Sequence, residues 1–194
     1  MTTVVGVSGS LRRQSFNTAL LGAAVGLMPS GSTLTVRTLH RIPLFNADDE
    51  AENGIPSPVA ELKEVIVAAD GLILATPEYN NSIPGVFKNA IDWLSRPPSD
   101  IKRVFGGKPV AIIGASAGGF GTVLSQAAWL PVMRTLGASI WAGGRLVVPR
   151  AGNVFDGDGT LIDDSVRRQL ETFLAGFVAA LSRSPETFGD SVAR

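Results

Sequence analysis

The chain has 194 residues, 45% of them hydrophobic, with Lys plus Arg and Asp plus Glu both at 17, one histidine and no cysteine. That length and apolar content suit one core-forming unit over 1–194, and the balanced charge gives no general attraction to nucleic acid or a membrane surface. The lack of cysteine excludes a disulfide framework, thiolate-held iron–sulfur clusters and cysteine nucleophiles. With no charged leader and no run of 18 apolar residues, the expectation is a cytoplasmic protein.

Thr3 to Val7 is a β-branched run read as a buried first strand that ends at Gly9. Thr18 to Met28 reads as a helix, closed by Pro29-Ser30-Gly31, and Leu34 to Leu39 as a second strand. The stretch IPLFNADDEAENGIPSP (42–58) reads as an exposed loop, from its Pro, Gly and acidic content. Ser57 to Ala69 is expected to be helical, with Ser57 as N-cap and Pro58 in the first turn.

Gly71 to Ala75 is an uninterrupted apolar third strand, followed by a loop at 76–82 and a helix over Pro84 to Leu94. On that helix Val86, Ala90, Trp93 and Leu94 share a stripe flanked by Lys88, Asn89 and Asp92. Pro109 to Gly114 is a fourth strand and Thr122 to Leu136 a helix. Ile140-Trp141 and Leu146-Val147-Val148 form one interrupted strand or two short pieces. Asp164 to Leu181 is the last helix, and about 183–194 reads as a loose tail.

Strands that alternate with helices, and central strands apolar at every position, predict a parallel sheet covered on both faces. In such a sheet ligands bind beyond the carboxyl ends of the strands. Three loops sit there: Gly9 to Asn17, Thr76 to Ser82, and Ala115 to Gly121.

The third loop contains GASAG (114–118), which fits the nucleophile-elbow pattern G-x-S-x-G around Ser116. An elbow serine needs a histidine later in the chain, and the single histidine, His40, precedes it. Ser116 then reads as part of a glycine-rich backbone turn, able to cradle an oxygen-bearing ligand or simply to join strand to helix.

The first loop, GVSGSLRRQSFN, carries Ser8, Ser10, Ser15 and Asn17, two arginines (Arg12, Arg13) and a helix N-terminus. That set suits a phosphate. Neither GxxxxGK[ST] nor GxGxxG is present, and the density of side-chain donors favours a terminal monophosphate such as that of FMN. The middle loop adds Tyr79, Asn80 and Asn81, a flat surface with amide groups that a flavin ring would use.

GSLRRQSFN (9–17), PLFNADDE (43–50), TPEYNNSIPGVFKNAIDWLSRP (76–97) and GASAGGFGT (114–122) together resemble the NAD(P)H-dependent FMN reductase family, the flavodoxin-like group of quinone and chromate reductases, over nearly the whole chain. The resemblance implies a flavodoxin-like three-layer α/β fold with a five-stranded parallel sheet in the order 2-1-3-4-5. It implies that Ser10, Arg12, Ser15 and Asn17 hold the FMN phosphate, with Phe16 among the cofactor-binding residues. Pro77, Glu78, Tyr79 and Asn80 line the ribityl chain and ring, and Ser116, Ala117, Gly118 and Gly119 close over the flavin's other edge.

The implied activity passes electrons from NADPH or NADH through FMN to a small-molecule acceptor: a quinone first, free flavin second, then azo, nitro or chromate compounds. No protein acid or base is required on the donor side. A flavodoxin-type FMN electron carrier is the alternative, disfavoured by the neutral charge. The family further implies a homodimer or homotetramer with FMN near the subunit boundary, helix 84–94 with Phe87 and Trp93 supplying part of the contact. Core packing is the competing use of those two aromatics.

Overall fold

The computed structural model describes residues 1–182; the tail expected at 183–194 lies outside the described residues. Six strands and seven helices follow in chain order: β1 (Thr2–Ser8), α1 (Phe16–Gly26), β2 (Ser32–Arg37), α2 (Ala47–Asn53), α3 (Ser57–Ala68), β3 (Gly71–Ala75), α4 (Gly85–Leu94), α5 (Ile101–Phe105), β4 (Pro109–Ala115), α6 (Val123–Thr135), β5 (Ser139–Ile140), β6 (Leu146–Val148) and α7 (Asp164–Ser182). All strand pairings are parallel, in the order β2-β1-β3-β4-β5, the expected flavodoxin-like arrangement. The fifth position is shared. β5 pairs with the start of β4 through Pro109 and Val110, and β6 with its end through Ile113 to Ala115, so the interrupted strand is two pieces.

The strands are apolar throughout because alternate residues enter two different cores. Val4, Ile73, Ala75, Ala111 and Ile113 face α1 and α7, where Leu20, Leu21, Phe173 and Phe177 cover them. Val5, Val7, Leu72, Leu74 and Ile112 face α3, α4 and α6, under Ile66, Phe87, Trp93, Trp129 and Met133. Phe87 and Trp93 are 0% and 1% exposed within this one chain. They are therefore core residues, and the subunit contact that the resemblance gave them is corrected. The buried stripe of α4 is Phe87, Ala90, Ile91, Trp93 and Leu94, with Val86 only partly buried.

Two further expectations change. The stretch 42–58 is not all loop, since 47–53 forms α2. Asn46 caps it by accepting from the Asp48 N–H at 3.0 Å, Asp48, Asp49 and Glu50 lie at the positive end of the helix dipole, and Gly54 (φ 73°) ends it. No α2 residue is buried, so there was no apolar period to read. Ser57 is not the N-cap of α3: Pro56 holds that position, and its carbonyl accepts from Val59 and Ala60 at 2.9 and 3.0 Å. Asn89 and Trp93 of α4 both donate to the Pro43 carbonyl, at 2.8 and 3.0 Å, which pins the PLFN segment against that helix.

Candidate functional site

The strand order places the three marked loops side by side. Ser8 is in register with Ala75, Ala75 with Ile113, and Ala115 with Val148, so β1, β3, β4 and β6 end on one rim. The Gly9 N–H donates to Ala75 and the Thr76 N–H to Ile113, at 2.9 and 2.8 Å, which holds each loop's first residue to the adjoining strand. Gly9 is needed there, because a Cβ would lie 2.1 Å from the Phe87 ring.

In the first loop Ser15 caps α1, its hydroxyl accepting from the Thr18 N–H at 3.2 Å. Among the described residues the N–H groups of Phe16 and Asn17 make no hydrogen bond, so the start of α1 offers two free donors. The Ser10 hydroxyl accepts from the Arg12 N–H at 3.3 Å. Arg12 and Arg13 are exposed, and neither forms an ion pair among the described residues. The Arg12 guanidinium lies 4.8 Å over the Phe16 ring, which stacks on Phe155 at 6.1 Å. A cleft of about 440 Å³ runs along this loop, with Phe155 to Gly159 as its far wall.

Asn17 also reaches the third loop. Its side chain is buried, donates to the Ala115 carbonyl and accepts from the Ala115 N–H, both at 2.9 Å. The amide group thus fastens the first loop to the third, and the Asn17 main-chain N–H makes no hydrogen bond among the described residues.

In the middle loop, Pro77 is buried and Glu78 half-buried. The Glu78 carboxylate accepts from the N–H groups of Leu124 and Ser125, at 2.8 and 3.0 Å, and so caps α6 from outside that helix. Beneath it the Thr76 hydroxyl donates to the Pro77 carbonyl (2.9 Å), accepts from the Trp129 indole (3.0 Å) and meets the Ser125 hydroxyl (2.8 Å). Beyond Glu78 the chain makes a two-residue turn. Tyr79 and Ser82 exchange both main-chain hydrogen bonds, while Asn80 and Asn81 take φ of 50° and 62°, the pair of left-handed residues that a type I′ turn requires. Tyr79 and Asn80 are left exposed at the rim.

In the third loop the Ser116 hydroxyl donates to the Gly121 carbonyl at 2.7 Å. His40, the only histidine, lies 3.0 Å from the Leu11 carbonyl through Nε2, so no histidine attends Ser116. The hydrolase reading has no geometry behind it. Ala117, Gly118 and Gly119 are exposed, and a Cβ at Gly119 would meet nothing. Gly121 adopts φ 62°, and a Cβ there would lie 2.2 Å from Val147. The loop is held from behind by the segment after β6: Arg150 N–H donates to Gly118 and Ala151 N–H to Ser116, both at 2.9 Å. Sequence reasoning left out this segment and the Phe155–Gly159 wall. The turn-forming string FDGDGT (155–160) was the available signal.

The residues present fit FMN. Two helix-start N–H groups and two arginines, all unpaired among the described residues, supply with Ser10 what a phosphate monoester needs, and an exposed tyrosine and an open glycine-rich turn flank the adjoining rim.

Comparison with known proteins gives the same answer. The family model described as NADPH-dependent FMN reductase matches residues 2–153. The chain is 45% identical to an NAD(P)H-dependent FMN reductase of Pseudomonas aeruginosa, over 87% of this chain and 89% of that protein. It is 37% identical to a 2-hydroxy-1,4-benzoquinone reductase of a Burkholderia species, over 89% and 92% of the two chains. Among solved structures, the flavoenzyme NAD(P)H:(acceptor) oxidoreductase FerB from Paracoccus denitrificans is similar at a TM-score of 0.80 and 32% identity, covering 93% of this chain and 97% of that one. The chain therefore belongs to the NADPH-dependent FMN reductase family, and it is an enzyme that uses FMN and NAD(P)H to reduce a small-molecule acceptor.

Proposed function

We propose that the acceptor is a quinone, that free flavin is the next best, and that the FMN is held by the residues of the three loops. The observation that carries this is the open rim between Tyr79-Asn80 and Ala117-Gly118-Gly119, where a flat acceptor would have access. The quinone reductase names of relatives from Burkholderia and Escherichia coli support the choice.

Each group in the chain has a definable part. Arg12 and the free N–H groups of Phe16 and Asn17 neutralise the phosphate, and Ser10 and Ser15 shape the loop that presents them. Pro77 and Glu78 fix the height of the middle loop, so that Tyr79 and Asn80 border the ring. Ser116, through its own hydrogen bond, holds Ala117, Gly118 and Gly119 open at the other edge. When bound, FMN supplies the redox chemistry, taking reducing equivalents from the nicotinamide and passing them to the acceptor. The chain's work is orientation and charge compensation, for which the lack of a second histidine is no obstacle.

The reading also includes a homodimer or homotetramer. Its interface runs along α6, where Leu124 and Leu130 are 48% and 46% exposed on one side of the helix, and not through Phe87 and Trp93.

An absorbance spectrum of the protein with FMN, followed under anaerobic conditions by NADPH or NADH and then a benzoquinone, tests the reading. Bands that bleach with the nucleotide and return with the quinone are expected. A bound flavin that no nucleotide bleaches would restore the carrier alternative, and a protein that retains no flavin would remove the loop assignments.

A further inference from the structure

The stretch between β6 and α7 reaches two of the three loops. Its start holds the third loop, through the N–H groups of Arg150 and Ala151, and its Phe155 meets the first. The Phe155 ring stacks on Phe16 with centroids 6.1 Å apart and planes 22° from parallel, and the Arg12 guanidinium lies 4.8 Å from the centre of the Phe16 ring. Arg12, Phe16 and Phe155 thus form a row of contacts that runs from solvent into the core.

The inner end of the row is fixed. Phe155 is 3% exposed and belongs to the core that α1 and α7 share. Its N–H donates to the Ala151 carbonyl at 3.1 Å, and it forms an antiparallel bridge with Leu161. The turn between those two residues is closed by the Asp156 carboxylate, which accepts from the N–H groups of Asp158 and Thr160 at 3.0 and 2.8 Å. Phe16 is only partly buried, so the ring behind it sets its orientation.

The outer end has a competitor. Asp156 and Asp158 line the same cleft as Arg12, yet Arg12 forms no ion pair among the described residues. An exposed ion pair and an exposed cation–ring contact are of similar strength, so the presence of the ring decides where the guanidinium rests. A guanidinium already placed beside the start of α1 loses less freedom when it meets an anion there.

We propose that Phe155 is a positioning residue for the cofactor phosphate. It backs the Phe16 ring on which Arg12 rests, and so keeps that charge away from the carboxylates of the far wall and available to the phosphate. Phe155 lies outside residues 2–153, over which the family model matches, so the family likeness assigns it no part. The inference rests on the reading that Arg12 meets the FMN phosphate.

The test titrates the apo-protein with FMN and with riboflavin, which lacks the phosphate, and follows flavin fluorescence. It compares the wild type, Phe155→Leu, Arg12→Ala and the double variant. Leucine keeps the site apolar, and circular dichroism reports whether the fold is kept. Phe16→Leu, which removes the platform at a partly buried position, gives the second reading should Phe155→Leu not fold. The wild type should bind FMN more tightly than riboflavin. Phe155→Leu and Phe16→Leu should each lower FMN affinity about fivefold and leave riboflavin affinity within about twofold. In the Arg12→Ala background Phe155→Leu should weaken FMN no further, because the charge that it positioned is gone. A merely structural Phe155 would weaken both flavins alike and add to the effect of Arg12→Ala. Either of those results, or FMN affinity unmoved by the leucine variants, overturns the inference. Equal binding of the two flavins by the wild type, or unchanged FMN affinity in Arg12→Ala, overturns the phosphate reading itself, with Phe155 intact.

Discussion

Glu78 shows how a motif residue can serve a site without facing the ligand. Both of its accepted hydrogen bonds come from the first turn of α6, whose N–H groups otherwise lack partners, and Thr122 at the N-cap makes no side-chain bond of its own to the helix backbone. The carboxylate therefore ties the middle loop to the helix that follows the third loop. Glu78→Ala should cost about 1–2 kcal/mol of stability, the range for removing an N-cap, while Glu78→Gln, which keeps an oxygen acceptor, should cost less. Urea unfolding of the apo-protein measures both, and FMN titration should show weaker binding in the alanine variant as the loop loosens. Equal stability of all three proteins would mean that the interaction is incidental. At this scale the sequence was partly legible. The residue types around the rim pointed to a phosphate and a flat ring, but nothing in the string revealed that Asn17 would turn to Ala115 or Glu78 to α6. Both partners lie far away in the chain, 98 and 46 residues along, and become neighbours only when the sheet forms.

The elements most legible in the sequence were the strands with two cores to fill and the helices with one buried side. β1, β3 and β4 are apolar at nearly every position because the sheet is covered on both sides, and α4 and α7 show a buried stripe. α2 and α5 were missed, since one buries nothing and the other is five residues long. What fixes such pieces is polar. Asp70 accepts from the Thr3 N–H and hydroxyl, at 2.7 and 2.9 Å, joining the start of β1 to the turn between α3 and β3. Asp100 accepts from the buried Lys63 at 2.8 Å, and Lys63 also donates to the Arg96 carbonyl, so α3 holds the segment that leads into α5. The Thr3 hydrogen bonds hold the Asp70 carboxyl below its ordinary value of 3.8, and the Lys63 hydrogen bond does the same for Asp100. A carboxylate with a depressed value in the folded state binds fewer protons there than in the unfolded chain. Its contribution is therefore complete above the ordinary value and is lost as pH falls through the lower, folded one. Denaturant unfolding between about pH 7 and pH 2.5 should show stability declining most steeply below about pH 4. Asp70→Asn should flatten part of that decline, and a variant with the wild-type slope would remove Asp70 from the account.

On the scale of the whole molecule, α6 joins the site to the proposed subunit interface. Its inner side carries Ser125, Gln126, Trp129 and Met133 into the core, and its first turn is held by Glu78. Leu124, Ala127, Leu130 and Pro131 lie on the opposite, exposed side, with a groove of about 310 Å³ where the helix meets α4. Leucines half exposed on a helix whose other face is fully used are surface that a second copy can cover. Burying a carboxylate in such an interface without a partner is costly, so Leu130→Glu should weaken association by about a hundredfold or more while leaving the subunit folded. Sedimentation at micromolar concentration measures it: the wild type should run as a dimer or larger and the variant as a monomer, with the same circular dichroism. Because Leu124 donates its N–H to Glu78, the substitution at 130, nearly two turns away, separates assembly from the site. Weaker FMN binding in that monomer would mean the interface stiffens α6 and, through Glu78, the flavin loop. A wild type that sediments as a monomer would leave the exposed leucines without this partner.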